Sequence, residues 1–280
     1  MNIKLISGAI ALLLCVASCT QKDDVYLTVI PQPNNATELT GTVALSDNIC
    51  ITAPSGNDGA DKVVRYLSGH FNVSDGEAST PILLKEDTTM AAEAYLLEIT
   101  PSKGVEITAA PDGSGWFYGV QTLMQLRNAG NGVVKAVRID DAPRFVHRGA
   151  HMDPARNWLP KEEVLKFLDL IALYKLNVFH FHLTDDQGWR IEIERYPRLT
   201  EVGSKRPHTQ IGHADTYNPV RYDSIPDEGY YTKDDIREIL AYAADRFITV
   251  IPEIEMPGHA SAALAAYPEY SCGLGKTYIV

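Results

Sequence analysis

The strongest constraint on this chain is a change of rhythm after Asp141-Ala142-Pro143. Apolar, strand-like runs at 145–152, 177–184 and 247–254 are separated by helical patterns at 161–174 and 233–246. The first helix carries Val164, Phe167, Leu168 and Ile171 at i, i+3, i+4 and i+7. Pro160 is tolerated at its start. The second has Thr232 as a capping residue and Ile236, Ile239, Leu240 and Ala243 inward. Strands separated by helices pair in parallel, which predicts an α/β fold built of βα units. A polar stretch bearing Pro and Gly fills 196–231.

Each of the three strands ends in ionisable residues: His151-Met152-Asp153-Pro154-Ala155-Arg156, then Asp185-Asp186-Gln187, then Glu253-Ile254-Glu255-Met256-Pro257-Gly258-His259. The C-terminal ends of parallel strands form the working face of a βα barrel. One polar strand end is ordinary; three in succession point to a site. A metal centre, a sugar site and a solvated turn are the candidates. His180 and His182 share one strand face by period two, and both are expected as satisfied core histidines. Trp158 and Trp189 are expected to pack rather than to stack on a ligand. Lys161, Glu162 and Glu163 read as a solvated helical turn.

The first half reads as a smaller α+β unit. A strand is predicted over 25–30, a helix over 60–68, and a hairpin from 94–100 and 105–109 around Pro101-Ser102-Lys103-Gly104. A helix over 115–127 and a strand over 133–139 follow. Hydrophobic residues make up 45% of the 280, enough for a sizeable core. A formal charge of −11 argues against nucleic acid, whose binders cluster Lys and Arg.

The N-terminus carries an apolar run over 5–17 behind Lys4, too short to span a bilayer and suited to a signal peptide. It ends in VASC, which resembles a bacterial lipobox with Cys19 as the lipidated residue. Lys22-Asp23-Asp24 resembles the surface-export signal of Bacteroidetes lipoproteins. The expected location is the cell envelope, anchored to the outer membrane through Cys19. Cys50 and Cys272 fall in different predicted domains and are not expected to pair.

The stretches HRGAHMDPARNWLPKEEVLKFLDLIALYKLNVFHFHLTDDQGWRIEI and VIPEIEMPGHASAAL resemble glycoside hydrolase family 20, the β-N-acetylhexosaminidases. The resemblance implies a small N-terminal α+β domain over 19–143, after a signal peptide at 1–18. The first part of a (β/α)8 TIM barrel would then occupy 144–280, truncated after about three strands, since a whole barrel needs about 250 residues. It also implies removal of terminal GlcNAc or GalNAc from glycans by a retaining, substrate-assisted mechanism without a cofactor or metal. The sugar's own 2-acetamido oxygen attacks the anomeric carbon while a glutamic acid protonates the leaving oxygen.

By the same resemblance, Arg156 binds hydroxyls of the terminal sugar. Asp185 and His259 form a supporting dyad that leads to the acid. Glu255 stands where the family usually has Asp in E-I-D-M-P-G-H and is assigned to substrate binding. Asp186 has no assigned task. No Asp-Glu doublet in strand context follows His259, so the general acid is expected beyond residue 280 and the chain alone is expected to be inactive. Two alternatives stand beside this: a non-catalytic glycan-binding surface lipoprotein, and a metal-dependent barrel hydrolase using His180, His182, Asp185 and His259.

Overall fold

The computed structural model describes residues 28–273, apart from 75, 77, 78, 213–215, 217 and 218. The signal segment, Cys19 and the first half of the expected strand over 25–30 lie outside the described residues, and 28–30 form no strand. In chain order the first unit comprises β1 (Asn35–Ala44), β2 (Asn48–Thr52), α1 (Asp58–Ser68), β3 (Asn72–Val73), β4 (Thr80–Glu86), β5 (Tyr95–Thr100), β6 (Gly104–Ala109), α2 (Ser114–Ala129) and β7 (Val133–Asp141). Its strands form one sheet in the order β1-β7-β5-β6-β4-β2-β3. The β5–β6 hairpin, both helices and β7 stand where the sequence places them. The strands β1, β2, β3 and β4 do not appear in that reading. β1, NATELTGTVA, is an edge strand paired only with β7 and largely exposed, so it carries no period-two apolar signal.

α2 explains how the first unit meets the rest of the chain. Nearly every residue of its first three turns is buried, from Ser114 to Leu123. A helix covered all round needs partners on several sides. It has β5, β6 and β7 on one side and α1 and the second unit on the other. Two glycines let it approach the sheet: a Cβ at Gly115 would fall 2.1 Å from the Ala94 carbonyl oxygen, and one at Gly119 would fall 2.6 Å from Ile107 Cγ2. Phe117 meets Phe247 of the second unit at 5.5 Å between rings. One hydrophobic core runs through both units, from Ile107 and Val120 to Val164, Phe179 and Ile248.

The second unit follows as β8 (Gly149–Met152), α3 (Lys161–Leu173), β9 (Val178–His182), β10 (Thr184–Asp185), β11 (Gly188–Trp189), α4 (Arg198–Glu201), β12 (Lys205–Arg206), β13 (Asp227–Glu228), α5 (Lys233–Ala244), β14 (Thr249–Glu253) and α6 (Ser261–Ala266). β8, β9 and β14 form a parallel sheet with β9 in the centre. The register sets His151 beside His180 and His182 beside Glu253. α3 buries Val164, Leu168 and Ile171, and α5 buries Ile239 and Ala243. Thr232 caps α5 in a reciprocal capping box with Asp235.

Three expectations are corrected. β8 starts at Gly149 rather than at 145, because pairing begins opposite Val178; Phe145 and Val146 are exposed. Lys161 is more than a solvated residue, since its ammonium bonds Asp235 at 2.8 Å and Glu238 at 2.7 Å and ties α3 to α5. The 196–231 stretch holds α4 and the β12–β13 pair, and it supplies buried partners to the site. Trp158 packs on Tyr231 at 4.6 Å, and Trp189 is buried with its indole N–H on the Ile191 carbonyl. No disulfide joins Cys50 and Cys272. Among the described residues no helix is long and apolar enough to cross a membrane.

Candidate active site

Parallel pairing brings the C-terminal ends of β8, β9 and β14 to one side, and the ionisable residues of all three meet there. Asp185 is at the centre, 1% exposed. Its Oδ2 forms an ion pair with Arg156 Nη2 at 2.7 Å and a hydrogen bond with His182 Nε2 at 3.0 Å. Its Oδ1 accepts the Asp186 backbone N–H at 2.6 Å and lies 3.3 Å from His259 Nδ1. A buried carboxylate needs such company, because desolvation disfavours its charge unless donors surround it.

Arg156 is half exposed. Its other terminal nitrogen, Nη1, bonds Asp153 Oδ2 at 2.7 Å, and its backbone N–H bonds Asp153 Oδ1 at 3.0 Å. The guanidinium is thus held by two acids, one on each terminal nitrogen, while part of it faces solvent. Burial opposes its charge, but the Asp153 hydrogen bond and the Asp185 charge raise its pKa further.

Two buried arginines hold the loop that presents Arg156. Arg190 is fully buried. It donates to the carbonyls of Pro154, Ala155, Ser204 and Gly229 and to Asp227 Oδ2 at 2.7 Å. Arg206 bonds the same Asp227 oxygen at 2.6 Å and donates to the carbonyls of Arg156 and Gln187. Asp227 Oδ1 also accepts the Trp158 N–H. None of these three residues stands out in the sequence, since they occupy short irregular segments without periodicity.

His259 follows β14 in a left-handed backbone conformation, φ 49°, which histidine tolerates better than most residues. Its Nδ1 also lies 3.6 Å from Asp186 Oδ2. Asp186, without a task in the sequence reading, has one here. Its Oδ1 accepts the Ser261 backbone N–H at 3.0 Å and the Ser261 hydroxyl at 2.8 Å, capping the start of α6 from another strand end. Burial opposes its ionisation, but the Ser261 bonds and His259 hold its pKa below the ordinary value.

Sequence reasoning placed Glu253 among the polar strand ends but gave it no role. Its Oε2 lies 2.5 Å from His182 Nδ1, 2.7 Å from His180 Nε2 and 3.8 Å from His151 Nε2. The His182 hydrogen bond depresses its pKa to about 2, against the opposing effect of burial. The available signal was an acid inside an apolar strand, VIPEIE, at the depth of VFHFHL. His182 is the satisfied core histidine expected. His180 is not, since its side chain is well exposed and turned toward Glu253. Glu255 is half-buried, and its backbone N–H donates to Thr184 Oγ1 at 2.9 Å.

The metal alternative requires His180, His182, Asp185 and His259 at one point. Among the described residues the convergent groups are different: His151, His182 and Glu253, and separately Asp185, Asp186 and His259. His182 faces Glu253 with Nδ1 and Asp185 with Nε2, so it belongs to the first group and His180 and His259 do not join it at one point. An apolar cleft of about 770 Å³, lined by Trp189, Ile193, Tyr196, Leu199, Met256 and Tyr267 among others, lies beside the His259 loop. Arg156, Asp185 and His259 do not line it.

A parallel-strand unit with a polar constellation at its C-terminal ends is the arrangement of a βα enzyme face. Residues 145–279 match the catalytic domain of glycosyl hydrolase family 20, and residues 26–142 match domain 2 of the same family. The chain belongs to that family.

A beta-hexosaminidase of Porphyromonas gingivalis is 40% identical over 95% of this chain and 36% of its own length. The exo beta-N-acetylglucosaminidase of Vibrio harveyi, solved in complex with N-acetylglucosamine, superposes with a TM-score of 0.71 at 33% identity, over 86% of this chain and 38% of that one. The Streptomyces plicatus N-acetyl-beta-hexosaminidase in complex with Thio-NAglucal gives 0.72 at 33% identity, over 88% and 49%. The chain therefore spans between about a third and a half of the length of these relatives.

Proposed function

We propose that this chain is the leading part of an exo-acting β-N-acetylhexosaminidase that removes terminal GlcNAc or GalNAc from glycans. The observation that carries the reading is the meeting of Arg156, Asp185 and His259 at the ends of β8, β9 and β14. Arg156 offers outward donors of a planar fork, suited to two neighbouring sugar hydroxyls. Asp185 holds His259 through Nδ1, so the imidazole is oriented with Nε2 at its far end. That end addresses the general acid, a glutamate expected beyond residue 280. A histidine held by a buried carboxylate can tune the proton affinity of such an acid. Glu255 borders the sugar.

The retaining chemistry is substrate-assisted. The 2-acetamido oxygen attacks the anomeric carbon, the bond to the leaving oxygen breaks, and the acid delivers its proton there. Water then opens the oxazolinium-like intermediate. Intramolecular attack depends on orientation, which is what a rigid arginine and a fixed dyad supply. The (β/α)8 barrel would be completed by chain outside these 280 residues, with 19–143 as the preceding domain.

The test is enzymatic. The 280-residue chain should release no phenol from an aryl β-GlcNAc, and extension through an Asp-Glu after a further strand should restore turnover. Robust turnover by the chain alone would overturn the assignment of the acid. An extended protein that binds but never cleaves would favour the non-catalytic glycan-binding reading. Anchoring at the outer membrane through Cys19 predicts incorporation of radiolabelled fatty acid that Cys19→Ala abolishes.

A further inference from the structure

We propose that His182 is a positioning residue: a fixed imidazolium that ties Glu253 to Asp185 and sets the orientation in which Asp185 meets His259. The inference deepens the reading of Asp185 and His259 as the supporting dyad and rests on it.

Geometry carries the argument. His182 is 4% exposed, and its ring is clamped between two carboxylates, Nδ1 at 2.5 Å from Glu253 Oε2 and Nε2 at 3.0 Å from Asp185 Oδ2. An ionised carboxylate can only accept, so each ring nitrogen must donate, and an imidazole with two N–H groups is a cation. A neutral tautomer would set a bare lone pair against a carboxylate oxygen on one side. Other charged and titratable groups surround the pair, and Glu255 hydrogen-bonds Glu253 and helps keep it ionised. Asp153 at the end of β8 adds negative potential, and His151 meets the ring edge at 5.6 Å between centroids. His180 reaches Glu253 rather than Asp185, and the Arg156 charge is shared with Asp153. Burial opposes protonation of His182, but the Glu253 and Asp185 bonds outweigh it and raise its pKa.

The consequence falls on Asp185. Its Oδ2 is held by His182 and Arg156, which points Oδ1 at His259. The strand register opposing His182 to Glu253 thus reaches the dyad through one ring. Glu253, 71 residues from His182 along the chain, becomes the anchor of the series Glu253–His182–Asp185–His259.

The experiment is ¹⁵N–¹H NMR of the histidine rings in the ¹⁵N-His-labelled chain, which needs neither substrate nor the general acid. Its failure is therefore separable from failure of the glycosidase reading. His182 should show two protonated ring nitrogens throughout the range in which a free histidine loses its proton, about pH 5.5–7.5. In Glu253→Gln the titration of His182 should move down by roughly one pH unit or more. His182→Gln should shift the His259 ring resonances, whereas His180→Gln, which touches Glu253 but not Asp185, should leave them in place. A His182 that titrates like a free histidine, or that shows a neutral tautomer, would overturn the proposal. So would equal His259 shifts in the two glutamine variants. If Glu253→Gln does not fold, the wild-type titration and the His180/His182 comparison still decide.

Discussion

Arg156 Nη2 and Asp185 Oδ2 lie 2.7 Å apart, joining the loop after β8 to the end of β9. The residue assigned to the sugar and the residue assigned to the dyad are thus one ion pair, with Asp185 buried and Arg156 half open. In the proposed enzyme, a sugar bound at Arg156 would be coupled directly to the carboxylate beside His259.

In the enzyme carrying its general acid, Arg156→Ala should raise KM and lower kcat together. A contact made in both the ground and transition states is lost, and kcat/KM should fall about 10- to 100-fold. Steady-state kinetics on an aryl β-GlcNAc checks this. Unchanged constants would remove Arg156 from the site.

In the same enzyme, Asp185→Asn should lower kcat more than it changes KM, since its proposed task is on the acid. It should also destabilise the chain by about 3 kcal/mol, because Arg156 and His182 lose their shared counter-charge at a buried position. Kinetics and urea unfolding on the same variant separate the two effects.

Asp186→Ala removes the acceptor for Ser261 N–H and hydroxyl at the start of α6. The loss should be about 1 kcal/mol, as for an N-cap residue, with Asp186→Asn retaining most of it. A urea midpoint shift at unchanged slope measures this.

Arg190→Lys keeps the charge but replaces a five-donor fork with a point charge. Four carbonyls and Asp227 cannot all be reached by one ammonium. The cost should be about 3–5 kcal/mol, with faster amide exchange in 204–208 and 227–231. Hydrogen-exchange mass spectrometry reads both segments.

The His182–Glu253 pair gives stability a defined pH window. The Glu253 pKa falls from 4.5 unfolded to about 2 folded, so its contribution is complete above 4.5 and lost as pH drops toward 2. The His182 pKa is raised above 6.5, so its contribution is complete below 6.5 and lost as pH rises through the higher folded value. The pair should contribute most between pH 4.5 and 6.5. Comparing wild type with Glu253→Gln by thermal unfolding across pH 2–9 should show the largest gap there.

By itself the sequence determined the βα rhythm after Pro143, the helices α2, α3 and α5, the β5–β6 hairpin and the polar strand ends. These are local properties, set by apolar period, capping and turn chemistry. The strand ends that carry Arg156, Asp185 and His259 were legible too, through motifs contiguous in the chain. The edge strand β1 was not, because a mostly exposed strand has no buried face to mark its period. Only the tertiary structure decided that Arg156 binds Asp185, that Asp186 caps α6, and that Arg190, Arg206 and Asp227 hold the site loop. It alone placed Glu253 beside His182. Those pairings depend on strand register and on which loops close over the strand ends. Charge and hydrogen bonding act through space, and residues far apart in the chain become neighbours only when the sheet is aligned.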